Sequence, residues 1–413
     1  MSTVSIFPGT GNGDGVQHET GRTRISCPYR VVTGLDRLEV TLHLQISNPS
    51  IFEKFAFLKA EVQKGLKKCV PLSFDKSNSF TWNLQRVGTK LYPYVLKSGD
   101  VTILLSSRSW DSPIPNCQIE IGSVSCHEGA FAMFYDLITW LEDYGMKSVK
   151  ATVSRADLCA DIVGLSYDQL GCDEKERWIS RGHKFVPFSD SHETGLFGES
   201  EMAFRAFYYL WKLTGIHLGS SRLMMRIYDK SQELKRNKTK QAFFLKHWQC
   251  TEDTPVTRVE FQVRREVLKQ FKTPINTPSE LNHNLDGIWQ YLVQNWARQT
   301  EKPVDRANKN HKQAKTSPFW QYVQSAIFSV EIPPATRSRE KSPHKNLEAL
   351  KVQARGCILN IAVAAGHDYN DHDGIIATCR DVLGDSLRTF MQERYVDFVK
   401  LFKQRTNEIF VGC

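Results

Sequence analysis

Three segments in the middle of the chain alternate mainly apolar with mainly polar residues, and a period of two points to β-strands. In Val153–Val163 (VSRADLCADIV), Ala156, Leu158, Ala160 and Ile162 fall on one face, and Arg155, Asp157, Cys159 and Asp161 on the other. In Leu223–Lys230 (LMMRIYDK), Leu223, Met225 and Ile227 oppose Arg226, Tyr228 and Lys230. In Thr257–Arg265 (TRVEFQVRR), Val259, Phe261 and Val263 oppose Arg258, Glu260, Gln262 and Arg264. If the three strands share a sheet with their apolar faces on one core, the opposite face gathers carboxylates, arginines and a tyrosine.

That face carries the parts of phosphoryl-transfer chemistry. Asp157 and Asp161, two positions apart on one strand face, together with Glu260, suit a hard divalent cation such as Mg²⁺ or Mn²⁺, which takes oxygen ligands. Tyr228 stands between Arg226 and Lys230, and nearby positive charge favours a phenolate nucleophile whose phosphoryl product the same cations stabilise. Taken singly, each strand reads more simply as the solvated face of a half-buried sheet, with Arg155 paired to Asp157 and Tyr228 an amphipathic surface residue. Glu120, in the alternating CQIEIGS, reads more simply as a structural residue.

The rest of the chain fits around this region. Residues 1–28 are rich in glycine and lack periodicity, so a tail is expected; the run Gly9, Gly11, Gly13 has neither strand before it nor apolar helix after it and is not expected to cradle phosphate. Residues 29–275 mix strands (Leu35–Ser47, Val101–Ser106, Cys117–Ser123) with helical spacing over Phe52–Gly65 and Glu128–Tyr144. From residue 276 to 413 the pattern is helical: Glu280–Arg298 after a cap at Ser279, Phe319–Val330, Lys345–Ala365 and Asp373–Lys403. The expectation is an α+β fold, a mainly antiparallel twisted sheet with flanking helices, followed by a helical C-terminal region.

Charge points the same way as the motifs. The 54 Lys and Arg against 45 Asp and Glu give a net +9, a balance that favours a polyanion. The excess is local. Eight Lys and Arg face two Asp and Glu over residues 222–246, and ten face four over residues 298–345. Arg155, Arg222, Lys235, Arg236, Arg258 and Arg264 are the expected DNA contacts. The aromatics of AFRAFYYLWKL offer stacking for unpaired bases, although so dense an apolar cluster more often packs inward. Ten dispersed cysteines without a C-x-x-C pair predict reduced thiols, and the polar N-terminus and lack of a long apolar run predict neither export nor a membrane span.

The order R-x-D-x-x-x-D, R-x-Y-x-K-x-x-E, R-x-E-x-x-x-R resembles the replication initiation factor family, which comprises rolling-circle plasmid and filamentous phage initiators and related conjugative relaxases. The resemblance runs from about Gly34 (GLDRLEVTLHL) to Phe271 and includes GSSRLMMRIYDKSQE. It implies that Tyr228 is the nicking tyrosine, with Arg226, Lys230 and Glu233 in its motif. It also implies that Asp157, Asp161 and Glu260 hold Mg²⁺ or Mn²⁺. The implied reaction is transesterification at an origin, leaving a 5′-phosphotyrosyl link and a 3′-OH primer, in a bacterial cytoplasm, with a host helicase and polymerase as partners and a homodimer as one possible state. None of the twelve histidines lies two positions from another, which disfavours the His-hydrophobic-His nickases, and no H-x-x-R supports a recombinase that uses Tyr395. HDYNDHD (367–373) reads as a metal site or, equally, a polar turn. A non-catalytic DNA-binding replication accessory or regulatory protein and a conjugative relaxase of the same chemistry are the alternatives.

Overall fold

The computed structural model describes residues 29–393 apart from 66–67, 73–79, 188–197, 210, 306–307, 309, 329–334, 336–357, 359 and 369. The expected tail, its glycine run and most of Lys345–Ala365 lie outside the described residues. The strands are β1 (Arg30–Ile46), β2 (Cys69–Leu72), β3 (Trp82–Gln85), β4 (Tyr94–Ser98), β5 (Val101–Leu105), β6 (Cys117–Ile121), β7 (Met146–Val163), β8 (Trp178–Ser180), β9 (His183–Pro187), β10 (Gly198–Met202), β11 (Phe204–Tyr209), β12 (Lys212–Ser220), β13 (Leu223–Asp229), β14 (Val256–Arg264) and β15 (Ala297–Gln299). Eleven of them form one sheet in the order β11-β12-β13-β14-β7-β1-β6-β5-β4-β3-β2, while β9 pairs with β10 and β8 with β15. Neighbouring strands of the large sheet pair antiparallel. The fold is α+β, and all three alternating segments lie in this sheet, on adjacent strands.

The sheet consists of two meanders joined at a seam. β2 to β6 run back until β6 lies beside β1, β11 to β14 run back until β14 lies beside β7, and β1 pairs with β7 along their lengths. A bulge in the β1 ladder between Leu35 and Arg37 skips Asp36.

Helices cover both faces: α1 (Ser50–Lys64), α2 (Ser123–Asp143), α3 (Lys230–Leu234), α4 (Lys238–Trp248), α5 (Arg265–Leu268), α6 (Pro278–Gln290) and α7 (Pro318–Ser325). The apolar side chains of the strands, Leu38, Val40, Ala156, Leu158, Ile227, Val259 and Phe261, join one large core with Phe134, Leu137 and Leu141 of α2 and Leu281, Ile288 and Trp289 of α6. Phe261 packs edge-on against Trp289 at 5.4 Å and Trp296 at 6.0 Å; each such buried side chain contributes about 1.5–3 kcal/mol. Helix α6 begins earlier than the expected Ser279 cap because Thr277 makes a capping box, accepting from the Glu280 amide at 3.2 Å while Glu280 accepts from the Thr277 amide at 2.9 Å. It gives way at Tyr291 to a π-helical turn and then to β15, instead of continuing to Arg298. Helix α7 stops at Ser325, short of the expected Val330.

The chain divides into two compact units, Met1–Val186 with Ser200–Arg337 and Pro187–Glu199 with Ser338–Cys413. The boundary drawn at residue 275 is therefore misplaced: α6 and α7 belong to the unit that holds the sheet, because their apolar stripes complete its core. In the smaller unit a helix spans His372–Glu393, and just before it His367 Nδ1 lies 2.7 Å from Asp371 Oδ2. Among the described residues no cysteine is paired and no helix is long and apolar enough to cross a membrane.

Candidate active site

Antiparallel register aligns side chains in transverse rows on the face opposite the core. One row runs Arg205, His217, Arg226, Glu260, Cys159; the next runs Phe207, Gly215, Tyr228, Arg258, Asp161. Tyr228, Arg226 and Glu260 are thus neighbours, as the alternation predicts. Tyr228 donates to Glu260 Oε2 at 2.9 Å, and Arg226 donates to Glu260 Oε1 at 2.6 Å and to Gln262 at 3.0 Å. Glu260 is 4% exposed, so its charge depends on these two partners.

Lys230 does not stand on the strand face as expected. The chain turns into α3 at this residue, with Asp229 capping the helix by accepting from the Gln232 amide at 3.0 Å. The buried Lys230 side chain folds back instead, placing Nζ 3.5 Å from the Tyr228 hydroxyl and 2.6 Å from Glu233 Oε2. The expectation of a phenolate is overturned. Burial, and then the charge of Glu260, raise Tyr228 well above the ordinary phenol range, against the weaker pull of Arg258. The phenol is neutral in the free protein, and its proton lies on a hydrogen bond to a carboxylate held by a guanidinium.

Beside this trio lies a second charged group, closed over by α4. Arg258, fully buried, donates through Nε and NH2 to both oxygens of Asp161 at 2.6 Å and through NH1 to Asp36. Trp248 of α4 donates to Asp161 at 2.9 Å, and the Phe244 ring lies 5.2 Å from the guanidinium carbon. Burial is the largest influence and would raise both aspartates, but Arg258, together with Lys230 and His127, holds each below the usual carboxylate range. His127, at the start of α2, packs 3.5 Å from Arg258 NH2 and 3.6 Å from Cys159 Sγ; burial and then Arg258 lower it to about 3, so the ring is neutral.

The expected metal set does not form. Each of its carboxylates is matched to an arginine: Asp157 to Arg155 at 2.5 and 2.8 Å, Asp161 to Arg258, and Glu260 to Arg226. Burial raises Asp157 to about 6 despite Arg155. Among the described residues the group whose ligand atoms lie close enough for one ion is Asp36, His127 and Cys159, within 4.8 Å of one another. Arg258 already donates to Asp36 and abuts His127, so a guanidinium charge stands where the ion would go, and this group does not fit a metal either.

Two expected DNA contacts are also corrected. Arg258 is buried, and Arg155 is held by Asp157 with Glu39 at 3.5 Å, because internal carboxylates claim both guanidiniums. Arg222, Lys235, Arg236 and Arg264 are exposed, as a backbone contact requires. The aromatic cluster is not all core: Phe207 is 40% exposed and Trp211, at φ 64 in the β11–β12 turn, is 99% exposed.

Asp36, His127 and Trp248 escape the sequence reading. Asp36 reaches the site only through a bulge, and His127 and Trp248 arrive on helices whose docking no local pattern announces. Gly34 does carry a signal in hindsight: a Cβ there would lie 2.8 Å from His127 Cε1. The imidazole is wedged against Phe244 at 5.1 Å and His247 at 5.0 Å. Gly34→Ala is expected to destabilise the fold by about 1–3 kcal/mol, measured by urea unfolding; an unchanged midpoint would show that the ring moves freely.

No protein-family model matches the chain, and a search of curated proteins finds no match.

Proposed function

We propose that this chain is a rolling-circle DNA replication initiator, a nickase and strand transferase that cuts one strand at an origin through Tyr228. The observation that carries this reading is the Tyr228–Glu260–Arg226 relay: a nucleophile within hydrogen-bond reach of a base, the base oriented by a third group. In the reaction Tyr228 Oη bonds to the scissile phosphorus as its proton passes to Glu260. The P–O3′ bond breaks, and the 3′ oxygen takes a proton from solvent. Lys230, next to the attacking oxygen, offsets charge on the phosphoryl oxygens. The products are a 5′-phosphotyrosyl link and a 3′-OH primer, left to host polymerase and helicase in a bacterial cytoplasm. No step passes through a metal, since the carboxylates expected to hold one are spent on arginines.

The test is a labelled origin plasmid incubated with the protein, with and without Mg²⁺ or Mn²⁺, scored for relaxed DNA and a protease-sensitive covalent adduct. Glu260→Gln is expected to slow adduct formation by about 10²–10⁴-fold, the usual contribution of a general base, with DNA affinity little changed. An undiminished rate would remove Glu260 from the chemistry. DNA binding by the wild type without any nicking favours the regulator, which needs the exposed arginines but not the relay.

A further inference from the structure

The row that holds Tyr228 ends on the edge strand in Phe207, and nothing in the nicking chemistry uses that residue. Phe207 lies on the same face as Tyr228, two strands away, with Gly215 between them. At a strand spacing of about 4.8 Å the two positions are roughly 10 Å apart. The intervening Gly215 is buried and carries no side chain; a Cβ there would stand 3.2 Å from that of Tyr228. Phe207 is backed by His217, ring centroids 4.5 Å apart, yet remains 40% exposed. Burial, then Arg226 and Arg205, lower His217 to about 4, so it backs the ring as a neutral imidazole with two guanidiniums close by. Arg205 is exposed and has no hydrogen-bond or ion-pair partner among the described residues.

We propose that Phe207, flanked by Arg205, is a stacking seat for an unpaired base of single-stranded DNA beside the nicking tyrosine. An aromatic face takes any base, but only from a strand that is not paired, and the flanking arginines complement the phosphodiester that comes with it. Spacing from Tyr228 lets the seated base and the scissile phosphate belong to neighbouring nucleotides. Trp211, in the turn of the same hairpin, is a second exposed aromatic. The inference rests on the nickase reading for its substrate, and its test is kept apart from nicking.

The measurement is anisotropy of a short fluorescent oligonucleotide, single-stranded, duplex, or carrying abasic sites, with the full chain in the Tyr228→Phe background. Phe207→Ala is expected to weaken single-strand binding by about fivefold or more, to leave duplex binding unchanged, and to add nothing to the loss caused by abasic sites; Phe207→Trp restores binding. Single-strand affinity within about twofold of the parent, an equal loss on duplex, or no single-strand binding by the parent overturns the proposal. So does self-association in sedimentation that Phe207→Ala abolishes, because the ring then faces another copy. Phe207-dependent single-strand binding by a protein that never nicks would sink the initiator and leave the seat standing; nicking by a protein indifferent to Phe207 would do the reverse.

Discussion

Tyr228→Phe is expected to form no covalent DNA adduct and to relax no origin plasmid, while binding DNA as the wild type does. The substitution removes one oxygen, the atom that would carry the phosphoryl group, and leaves the ring in its place on β13. The exposed cations at Arg222, Lys235, Arg236 and Arg264 are untouched, and these set the backbone affinity. Glu260 loses the donor to Oε2 but keeps Arg226 on Oε1, so a stability cost of about 1–3 kcal/mol accompanies the loss of chemistry. Denaturing electrophoresis of radiolabelled DNA after digestion reads the adduct directly. An adduct that survives in the variant would move the nucleophile elsewhere and reduce the Tyr228–Glu260 contact to a structural hydrogen bond.

Arg258→Ala is expected to cost about 3–5 kcal/mol of stability, the usual penalty for stripping a buried ion pair of one partner. Asp161 is wholly buried and Asp36 largely so; without the guanidinium two carboxylate charges have little compensation. The sign of the pH dependence follows. In the wild type both aspartates titrate below their unfolded values, so their contribution is present above about pH 4 and fades as pH falls through the depressed range. In the variant the same groups keep only the weaker pull of Lys230 against burial, which favours the protonated form. The gap between the two proteins is therefore widest near neutrality and closes towards pH 4. Urea unfolding across that range measures it; a gap independent of pH would mean that lost packing against Phe244, not charge, is responsible. Arg258→Lys keeps the charge but not the bidentate fork and should recover only part of the loss.

The strands of this site are legible in the sequence because a period of two is a local property, visible within eight or ten residues. Which carboxylate meets which cation is not local. Asp161 and Arg258 are ninety-seven positions apart and directly opposed, and only the register of β14 on β7 decides that this arginine faces inward to an aspartate instead of outward to a phosphate. The same ignorance of register turned three aligned carboxylates into an expected metal set, when each had an arginine one strand or two residues away. Lys230 was misplaced for a different reason: the helix that begins there is five residues long, too short for a pattern. The cover supplied by α4 is equally invisible, which is why Asp161 reads as part of a solvated face and is in fact 0% exposed beneath Trp248.

The seam between the two meanders also sets an order of assembly. Strands within each meander meet across the shorter connections, whereas the nearest contacts of β1 with β7, Ile46 with Met146, and of β7 with β14, Val163 with Val256, close loops of about 100 and about 93 residues at a correspondingly larger entropic cost. Rate theory for such topologies places the long closures late. Asp36 comes from β1, while Asp161 and Arg258 come from β7 and β14, so the buried charges are completed only when the seam shuts. Arg258→Ala should accordingly hasten unfolding far more than it delays refolding, and the half of the molecule that carries the tyrosine reaches its working electrostatics only after the half without it has arrived.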